Sequence, residues 1–392
     1  MSQNSPHGIV IAGGGLAAQR CAETLRRRGY EGPVRIVCGE PQRPYDRPPL
    51  SKEILTGTRE AESLSFRPPA WYAERGIEVI VNVRAVGIDR DRRRLHLSDG
   101  SARSYGALLI ATGSTARELP LLAGRRNVSV LRTVDDAVAL RDVLRDRPRL
   151  AVVGAGFIGQ EVAASARRLG AEVTMIEAAD TPLAAILGAE IGAWFTRLHH
   201  DEGVTVLTGQ TVSGADGNGR VESLTLSGGT KVGVDHVVVG VGVAPDVDWL
   251  RDSGLRLGRG VLADAHGRTS DPDVFAAGDA AETFDARLGR HVPGSHWEQA
   301  VRQGTRAAEA MLGTPGRAAP VTSFWTDQYG VRVQYLGHAP LADAVHIDGD
   351  PSARDFQATF TRSGRAVAAL LVGRPQSLPA ARTLIENRED QE

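Results

Sequence analysis

The sequence predicts an α/β protein in which two units of parallel strands and helices are followed by a small α+β domain. Two short apolar runs, residues 9–12 and 150–153, have the composition of strands that are buried on both faces. Each run leads into a glycine-rich turn, a helical pattern and a second apolar run, and that order defines a βαβ unit. The turns begin at Gly13 and Gly154, 141 residues apart, which indicates two domains rather than a short structural repeat.

The bounds of the individual elements follow from the spacing of apolar residues and from glycine. Gly29 and Gly170 stand where a glycine commonly ends a helix. In chain order, the predicted elements are a strand at 9–12, a helix at 17–28, strands at 34–37, 107–110 and 150–153, a turn at 154–159, a helix at 161–169, strands at 173–176 and 236–239, and a helix at 297–312.

The chain is long enough for two or three domains. We predict a discontinuous first domain from residues 1–115 and 245–320, a second domain from residues 116–244, and a C-terminal domain from residues 321–392. The stretch 313–320 is rich in Gly, Pro and Ala, which is typical of a linker. The C-terminal domain alternates apolar and polar residues in short runs and ends in a charged tail after Asn387 that we expect to fray.

Composition excludes several classes of function. The formal net charge of −1 predicts no partner among nucleic acids or anionic membranes, and no apolar run of about 18 residues exists that could span a bilayer. The two cysteines, Cys21 and Cys38, do not form a C-x-x-C pair, so neither a redox dithiol nor a zinc site is predicted. So few cysteines, together with the absence of a signal-peptide pattern, predict a cytoplasmic protein. No spacing of ligand residues indicates a metal.

The first glycine-rich turn, residues 13–18, has the pattern G-x-G-x-x-A of a Rossmann-like dinucleotide-binding domain. The first glycine allows a tight turn, the second lets the backbone approach a pyrophosphate, and Ala18 is small enough for the helix to pack on the strand. The helix that follows points its positive N-terminus at the phosphates. Glu40, 25 residues after Gly15, is placed to accept hydrogen bonds from a ribose hydroxyl.

The second turn, residues 154–159, has the full G-x-G-x-x-G pattern. Glu177 follows Gly156 by 21 residues, close to the spacing of about 20 at which an acid binds the ribose 2′-hydroxyl. A carboxylate at this place repels a 2′-phosphate, and the next residues, Ala178 and Ala179, offer no Arg to bind one. The second site therefore favours NADH over NADPH.

Two dinucleotide sites in one chain suggest a donor and a relay. One glycine-rich turn could be only a turn, but two with a strand before, a helix after and an acid at the expected distance indicate two nucleotides. A nicotinamide delivers a hydride, whereas a flavin accepts a hydride and releases electrons singly or in pairs. We therefore predict a resident FAD in the first domain and NADH in the second.

The chain also resembles the FAD-dependent ferredoxin, rubredoxin and putidaredoxin reductases, within the wider glutathione-reductase-like flavoproteins. The stretch RPPLSK at 47–52 and the pattern HWxxAxxQG at 296–304 are specific to this subfamily. Matches common to many flavoproteins are the two fingerprints and the segments ATGS at 111–114, GVGVAP at 240–245 and AGDA at 277–280. A further match is FWTDQ at 324–328.

The resemblance implies a role for each matching residue. Lys52 and Glu161 are implied as catalytic residues beside the flavin and the nicotinamide. From the residues alone, Lys52 could be a solvated loop lysine, Glu161 an exposed helix carboxylate and Trp297 a core residue. The residues expected to bind FAD or NADH are Gly13, Gly15, Leu16, Ala17, Ala18, Glu40, Arg47, Lys52, Ala85, Ala111, Thr112, Gly113, Arg132, Gly154, Gly156, Phe157, Ile158, Gly159, Glu177, Gly242, Gly278, Asp279 and Trp297.

The resemblance further implies an NADH-dependent ferredoxin reductase that passes single electrons to a small iron–sulfur ferredoxin. That ferredoxin would serve a cytochrome P450 or a ring-hydroxylating oxygenase. A glutathione- or thioredoxin-type reductase needs a Cys pair beside the flavin, and the chain has none. One alternative is an NADH oxidase or peroxidase, which has a single Cys beside the flavin; Cys38 does not lie at the position of that Cys. A second alternative is a redox-sensing protein similar to apoptosis-inducing factor, which needs a basic patch.

Some positions depart from the family pattern or invite another interpretation. Ser295, Asp246 and Ala185 replace the Glu, Asn and Arg that the family often has on the nicotinamide side, and they leave the affinity for NADH open. The run His-His-Asp-Glu at 199–202 lacks the spacing of a metal site. We expect this run to form a solvent-facing side of a helix.

Overall fold

The computed structural model describes residues 7–294, 296–314, 316 and 321–386. Ser295, part of the predicted linker and the predicted frayed tail lie outside these ranges. The helices are α1 (Leu16–Arg27), α2 (Pro69–Glu74), α3 (Val134–Leu144), α4 (Phe157–Arg168), α5 (Ala184–Asp201), α6 (Trp297–Met311) and α7 (Leu378–Glu386). The strands are β1 (Ile9–Ala12), β2 (Val34–Val37), β3 (Ile77–Ile80), β4 (Ala85–Asp89), β5 (Arg94–Leu97), β6 (Ala102–Ser104), β7 (Ala107–Ile110), β8 (Ser114–Ala116), β9 (Val128–Ser129), β10 (Arg149–Val153), β11 (Glu172–Ile176), β12 (Thr205–Leu207), β13 (Val212–Asp216), β14 (Ser223–Leu226), β15 (Lys231–Gly233), β16 (His236–Val239), β17 (Val243–Pro245), β18 (Val261–Ala263), β19 (Val274–Ala276), β20 (Ala281–Asp285), β21 (Arg290–Pro293), β22 (Ser323–Gln328), β23 (Val331–Gly337), β24 (Ala344–Asp350), β25 (Asp355–Arg362) and β26 (Arg365–Val372).

The chain divides into two compact units. The first consists of Met1–Asp46, Leu64–Thr115 and Ala244–Ala319, and the second of Arg47–Ser63, Ala116–Val243 and Pro320–Glu392. The breaks after 115 and 243 lie within one residue of the boundaries predicted from the sequence. Segment 47–63 belongs to the second unit, as do the residues predicted to form a separate C-terminal domain.

The first unit is built on a five-stranded parallel sheet in the order β19-β7-β1-β2-β3. Its central strand β1 is buried along its whole length, as expected for a parallel strand covered on both faces. Helix α1 has an apolar side that includes Cys21 and Leu25, which are fully buried in the core beneath the sheet. Two smaller sheets, β4-β5-β6 and β18-β20-β21, complete this unit.

Helices α1 and α6 of the first unit pack at very short range. A Cβ atom built on Gly304 in α6 would lie 2.2 Å from the carbonyl oxygen of Ala17 in α1. Only glycine therefore fits at position 304, and the close approach fixes the start of α1 against a helix that comes almost 300 residues later in the chain.

The second unit contains a parallel sheet and an antiparallel sheet. The parallel sheet has the order β12-β11-β10-β16-β9, with α4 connecting β10 to β11. The antiparallel sheet has the order β22-β23-β26-β25-β24, and α5 packs on it through Trp194 and Phe195, which share a core with Phe356. A small sheet β13-β14-β15 also belongs to this unit.

Most predicted elements lie where the sequence places them. Strands β1, β2, β7 and β16 have the predicted bounds, and β10, β11, α1 and α6 differ by one residue at one end or both. Helix α4 is a correction, because it begins at Phe157 instead of Glu161. Gly156 is already its N-cap, and Gly159 lies inside the first helical turn, pressed against the carbonyl oxygen of Gly154.

The run 199–202 is a second correction. His200 and Asp201 are exposed as predicted, but His199 is fully buried. The reason is that the adjoining face of α5 packs on the antiparallel sheet, so that His199 Nδ1 lies 2.7 Å from the Tyr329 hydroxyl and Nε2 lies 3.2 Å from Gln160 Oε1.

Within the described ranges, no helix is long and apolar enough to cross a membrane. The same residues bring together no group of three or more His, Cys, Asp or Glu side chains that could hold a metal ion.

Burial of two histidines predicts a loss of stability in mild acid. Burial lowers the pKa of His199 and of His236 from 6.5 to about 4. The unfolded chain therefore binds these protons below about pH 6.5, whereas the folded chain binds them only near pH 4, so folding weakens as the pH falls through this window. Between pH 7 and pH 5 each histidine should remove about 2 kcal/mol of unfolding free energy.

Urea unfolding at the two pH values measures this loss. His199→Gln should reduce the difference in unfolding free energy between pH 7 and pH 5, whereas His200→Gln, the exposed neighbour on the same helix, should leave the difference unchanged. Equal differences for both variants would show that His199 is not buried in solution.

Candidate functional site

The first glycine-rich turn connects the end of β1 to the start of α1. Gly13 has φ of +121°, and a Cβ there would lie 2.0 Å from the carbonyl oxygen of Ala111, at the end of the neighbouring strand β7. Gly15 is the N-cap of α1, and no other described atom lies within 4 Å of a Cβ built on it. Leu16 then opens the helix, so the turn offers backbone N–H groups beside an open space, which fits a pyrophosphate.

Glu40 lies three residues after the end of β2, on the same edge of the sheet. One of its carboxylate oxygens accepts a hydrogen bond of 2.5 Å from the hydroxyl of Tyr45. The side chain is half-buried, and a half-buried carboxylate at the carboxyl end of the second strand is placed as a ribose-binding acid should be.

Asp279 lies just past the end of β19, at the same edge of the parallel sheet. Its carboxylate accepts a hydrogen bond of 2.7 Å from the Ser114 hydroxyl, and the neighbouring Gly278 N–H donates to Gln303 Oε1 at 2.7 Å. The first residue of α6, Trp297, donates its indole N–H to Asp46 Oδ1 at 2.8 Å. The structure thus brings Asp279 and the residues of the AGDA and HWxxAxxQG segments into one unit with the first fingerprint.

The remaining FAD candidates fall into two groups. Thr112 and Gly113 follow β7, where the Thr112 hydroxyl donates to the backbone carbonyl of Asp246 at 2.6 Å, and Ala85 begins β4. Arg47 and Arg132 belong to the second unit together with Lys52. There Arg47 donates to the Arg132 carbonyl at 2.6 Å.

The second glycine-rich turn repeats the geometry of the first. Gly154 has φ of +103°, and a Cβ on it would lie 2.5 Å from the carbonyl oxygen of Gly240, at the end of β16. A Cβ on Gly156 would meet nothing closer than 4.0 Å among the described atoms, so this turn also has room for a phosphate. Phe157 opens α4, and Ile158 in the same turn is exposed. Gly242, another glycine predicted to bind a nucleotide, has φ of +100° beyond β16.

Glu177 binds the backbone at this turn. The residue follows directly after β11, and its carboxylate accepts hydrogen bonds from the Ala155 N–H at 2.7 Å and the Ala179 N–H at 2.9 Å. Its two oxygens are thereby held beside the glycine-rich turn, where the adenosine ribose of a bound dinucleotide is expected.

Lys52 and Glu161 form an ion pair in the second unit. Lys52 Nζ lies 2.7 Å from Glu161 Oε2, and the two side chains are 14% and 4% exposed. Ser51 donates its hydroxyl to the same carboxylate oxygen. Glu161 is therefore not an exposed helix carboxylate, nor is Lys52 a solvated loop lysine, and each is held by the other.

Sequence reasoning missed two polar side chains that hold this pair in place. The Thr326 hydroxyl in β22 donates to Glu161 Oε1 at 2.7 Å. The Ser165 hydroxyl in α4 donates to the Ser51 carbonyl at 2.7 Å and so ties the loop to the helix. Thr326 was visible only as part of the FWTDQ match, and no local pattern indicates that its side chain faces α4.

The two cysteines lie in the core of the first unit, where they are free and buried. Burial raises the pKa of the Cys38 thiol to about 12 and raises that of Cys21 as well. Neither thiol is a reactive thiolate at neutral pH, because a thiol must lose its proton to act as a nucleophile.

Family models match both fingerprints and the antiparallel sheet. Residues 7–304 match the pyridine nucleotide-disulphide oxidoreductases, and residues 323–392 match the reductase C-terminal domain. The chain belongs to the pyridine nucleotide-disulphide oxidoreductase family. The predicted fold class and the prediction of an oxidoreductase are thereby confirmed.

Two curated relatives and one solved structure confirm the resemblance seen in the motifs. The oxidoreductase is 38% identical to the anthranilate 1,2-dioxygenase system ferredoxin–NAD(+) reductase component of Burkholderia cepacia, over 96% of this chain and 93% of the relative. It is 32% identical to putidaredoxin reductase of Pseudomonas putida, over 98% of this chain and 93% of the relative. It matches the structure of the covalent putidaredoxin reductase–putidaredoxin complex with a TM-score of 0.95 at 32% identity, covering 98% and 94% of the two chains.

The predicted cofactors, FAD and NADH, are confirmed as those of this family. The chain's own residues fit them, since each fingerprint leaves an open space above its second glycine at a helix N-terminus, and an acid follows the next strand of the same sheet. Which residues contact which nucleotide stays a prediction.

Proposed function

We propose that this oxidoreductase is an NADH-dependent ferredoxin reductase that supplies single electrons to a small iron–sulfur protein. Two observations together carry the proposal: the chain has two dinucleotide-binding turns, and its two cysteines are free and buried, so they do not form a redox-active pair. The nucleotides, when bound, would supply the redox chemistry, namely hydride transfer from NADH to the flavin and release of single electrons from the flavin.

The first turn, Glu40 and Asp279 are the groups we assign to FAD. The turn would hold the pyrophosphate by backbone N–H groups, and the two carboxylates would accept hydrogen bonds from ribose or ribityl hydroxyls. Asp279 is already oriented, because its carboxylate accepts a hydrogen bond from the Ser114 hydroxyl.

The ion pair of Lys52 and Glu161 is assigned to the reacting rings. The Lys52 ammonium would stabilise negative charge on the reduced flavin, and a charge that is largely withdrawn from water acts more strongly than an exposed one. Glu161 would hold Lys52 in place, because a carboxylate fixed by three donors cannot swing away.

The electron acceptor is inferred from what the chain lacks and from its relatives. A dithiol reductase needs two cysteines beside the flavin, and an oxidase or peroxidase of this fold needs one, yet both thiols of this chain are buried in the core with raised pKa values. One relative is named as a ferredoxin–NAD(+) reductase component of a dioxygenase system. We infer that the ferredoxin of this chain serves a cytochrome P450 or a ring-hydroxylating oxygenase in the cytoplasm.

A reconstituted electron-transfer assay tests the proposal. The purified flavoprotein is mixed with NADH, a [2Fe–2S] or [3Fe–4S] ferredoxin and cytochrome c, and the same mixture without ferredoxin is the control. We expect rapid flavin reduction and cytochrome c reduction that depends on the ferredoxin. Turnover that goes only to oxygen would overturn the proposal.

The position of Glu177 predicts the choice of nicotinamide nucleotide. The wild-type protein should use NADH far better than NADPH. Glu177→Ala should raise KM for NADH about tenfold, the cost of one charge-assisted hydrogen bond, and change kcat little. Steady-state kinetics with both nucleotides measures this.

Glu172→Ala is the matched control for that variant, because Glu172 is an exposed acid at the other end of the same strand. It should behave as wild type. Equal efficiency of the wild-type protein with NADH and NADPH would refute the assignment of Glu177.

A further inference from the structure

We propose that β22 of the antiparallel sheet is part of the hydride-transfer site, with Thr326 as a positioning residue for Glu161. This inference rests on the proposed function. It gives the C-terminal sheet a role inside the reaction, in addition to any contact with a protein partner.

The inward-facing residues of β22 carry the inference. Along this strand Phe324, Thr326 and Gln328 are buried, while the residues between them are partly exposed, as the alternation of a strand requires. Phe324 packs edge-on against Phe157, the first residue of α4, with ring centroids 4.7 Å apart. One face of the strand is therefore applied to the helix that begins at the second fingerprint.

Thr326 completes the set of donors around Glu161. Lys52 and Ser51 both donate to Oε2, and Thr326 alone among the described donors reaches Oε1. The Thr326 hydroxyl also accepts from Gln328 Nε2 at 3.2 Å, so its own proton is directed to the carboxylate. With both oxygens occupied, the Glu161 carboxylate cannot rotate, and Lys52 is held at a fixed place.

A second line of hydrogen bonds runs from the end of β22 to the fingerprint turn. The hydroxyl of Tyr329 is hydrogen-bonded to His199 Nδ1, and His199 Nε2 is hydrogen-bonded to Gln160 Oε1. Gln160 Nε2 donates to the Ala155 carbonyl at 2.8 Å. The N–H of Ala155 in turn binds Glu177. Of two neighbouring residues of α4, Glu161 is thus bound to β22 itself and Gln160 is connected to Tyr329, the residue that follows β22.

The protons of this second line have one consistent arrangement. Gln160 Nε2 is the donor to Ala155, so Gln160 Oε1 must accept, and His199 Nε2 must carry the histidine proton. His199 Nδ1 then accepts from the Tyr329 hydroxyl. Burial holds the pKa of His199 at about 4 and raises the pKa of Tyr329, so every member of the line is neutral at working pH.

Thr326→Val tests the inference, because valine keeps the shape of threonine and removes only the hydroxyl. The FAD-loaded protein is mixed rapidly with NADH, and the reduction rate per bound flavin is separated from the dissociation constant for NADH. We expect the rate to fall roughly 10- to 100-fold, the value of a hydrogen bond to a charged group, and the dissociation constant to stay within about threefold.

Three further variants make the result specific. Thr326→Ser restores the hydroxyl and should restore the rate. Thr361→Val removes a buried hydroxyl from another strand of the same sheet and should leave the rate unchanged. Thr326→Ala serves if the valine variant does not fold, and it should show the same loss of rate.

Two readouts do not depend on activity. The visible absorption spectrum of the flavin without NADH should change in Thr326→Val and return in Thr326→Ser. Amide hydrogen exchange of residues 157–168 should be faster in the valine variant, since α4 has lost a contact. A valine variant with lower thermal stability, an unchanged rate per flavin and an unchanged spectrum would overturn the inference.

The experimental results that would refute the proposed function differ from those that would refute the role of Thr326. If the wild-type protein reduces its flavin with NADH but does not pass electrons to a ferredoxin, the acceptor is wrong, and a lowered reduction rate in Thr326→Val still supports the positioning role. If the ferredoxin is reduced and the Thr326 variants match wild type in rate and spectrum, only the positioning role is refuted.

Discussion

Replacing Asp279 by alanine is expected to yield a protein that folds but loses most of its FAD during purification. The variant removes the carboxylate that we assign to a ribityl or ribose hydroxyl, and with it the hydrogen bond from the Ser114 hydroxyl to that carboxylate. A hydrogen bond to a charged group is worth about 1.5–3 kcal/mol, so the affinity for FAD should fall roughly 10- to 100-fold. The ratio of flavin absorbance to protein absorbance, and titration of the apoprotein with FAD, measure the loss.

Two variants control for this result. Asp279→Asn keeps the shape and can still accept one hydrogen bond, so it should retain more FAD than the alanine variant. Asp285→Ala changes an acid at the far end of β20 in the same unit and should purify with its full flavin content. A fully flavinated Asp279→Ala protein would show that the FAD site has been assigned to the wrong residues.

Glu161→Ala is expected to damage both stability and reduction of the flavin. The variant leaves the Lys52 ammonium, 14% exposed, without its counter-charge, and leaves the Ser51 and Thr326 hydroxyls without an acceptor. Removing one partner of a buried ion pair costs about 3–5 kcal/mol of unfolding free energy. The rate of flavin reduction should fall at least as far as in Thr326→Val, because all three donors lose their common partner.

A double-mutant cycle separates the lost charge from the lost packing. Lys52→Met combined with Glu161→Ala removes the unpaired ammonium and should recover part of the stability, while flavin reduction stays slow. Glu190→Ala, an exposed acid on α5, should change the unfolding free energy by less than about 0.5 kcal/mol. Urea unfolding of a Glu161→Ala protein that matches wild type would mean that the pair is solvated.

The elements that the sequence predicts to the residue are those bounded by unambiguous signals. Strands β1 and β7 are uninterrupted apolar runs that end at the turn residues Gly13 and Thr112, so their limits depend on the chain itself. The start of α4 is harder to predict from the sequence, because Gly159 looks like part of a turn. Its place inside the helix follows from close packing against the Gly154 carbonyl, which a sequence does not display.

Some residues of the candidate site could likewise be predicted from the sequence, and others could not. Glu177 and Glu40 could be predicted because their distance from a fingerprint is fixed by the length of a βαβ unit. Thr326 could not, because it lies 165 residues from Glu161 and the contact exists only through the packing of β22 on α4. The burial of His199 likewise depends on a sheet built more than 120 residues later, so a polar run of four residues looked solvent-facing.

The close packing of α6 on α1, at Gly304 and Ala17, has a consequence for how the chain folds while it is being synthesised. Strand β7 emerges from the ribosome early, but its partner β19 comes 164 residues after the end of β7, and α6 comes later still. At about 5–20 residues per second, the first unit waits roughly 10–30 s for the strand and helix that close it. During that time its parallel sheet has one open edge and α1 an uncovered face. Newly made chains should therefore be most in need of chaperones before residue 312 has emerged, and FAD can be captured only by chains that have passed this point.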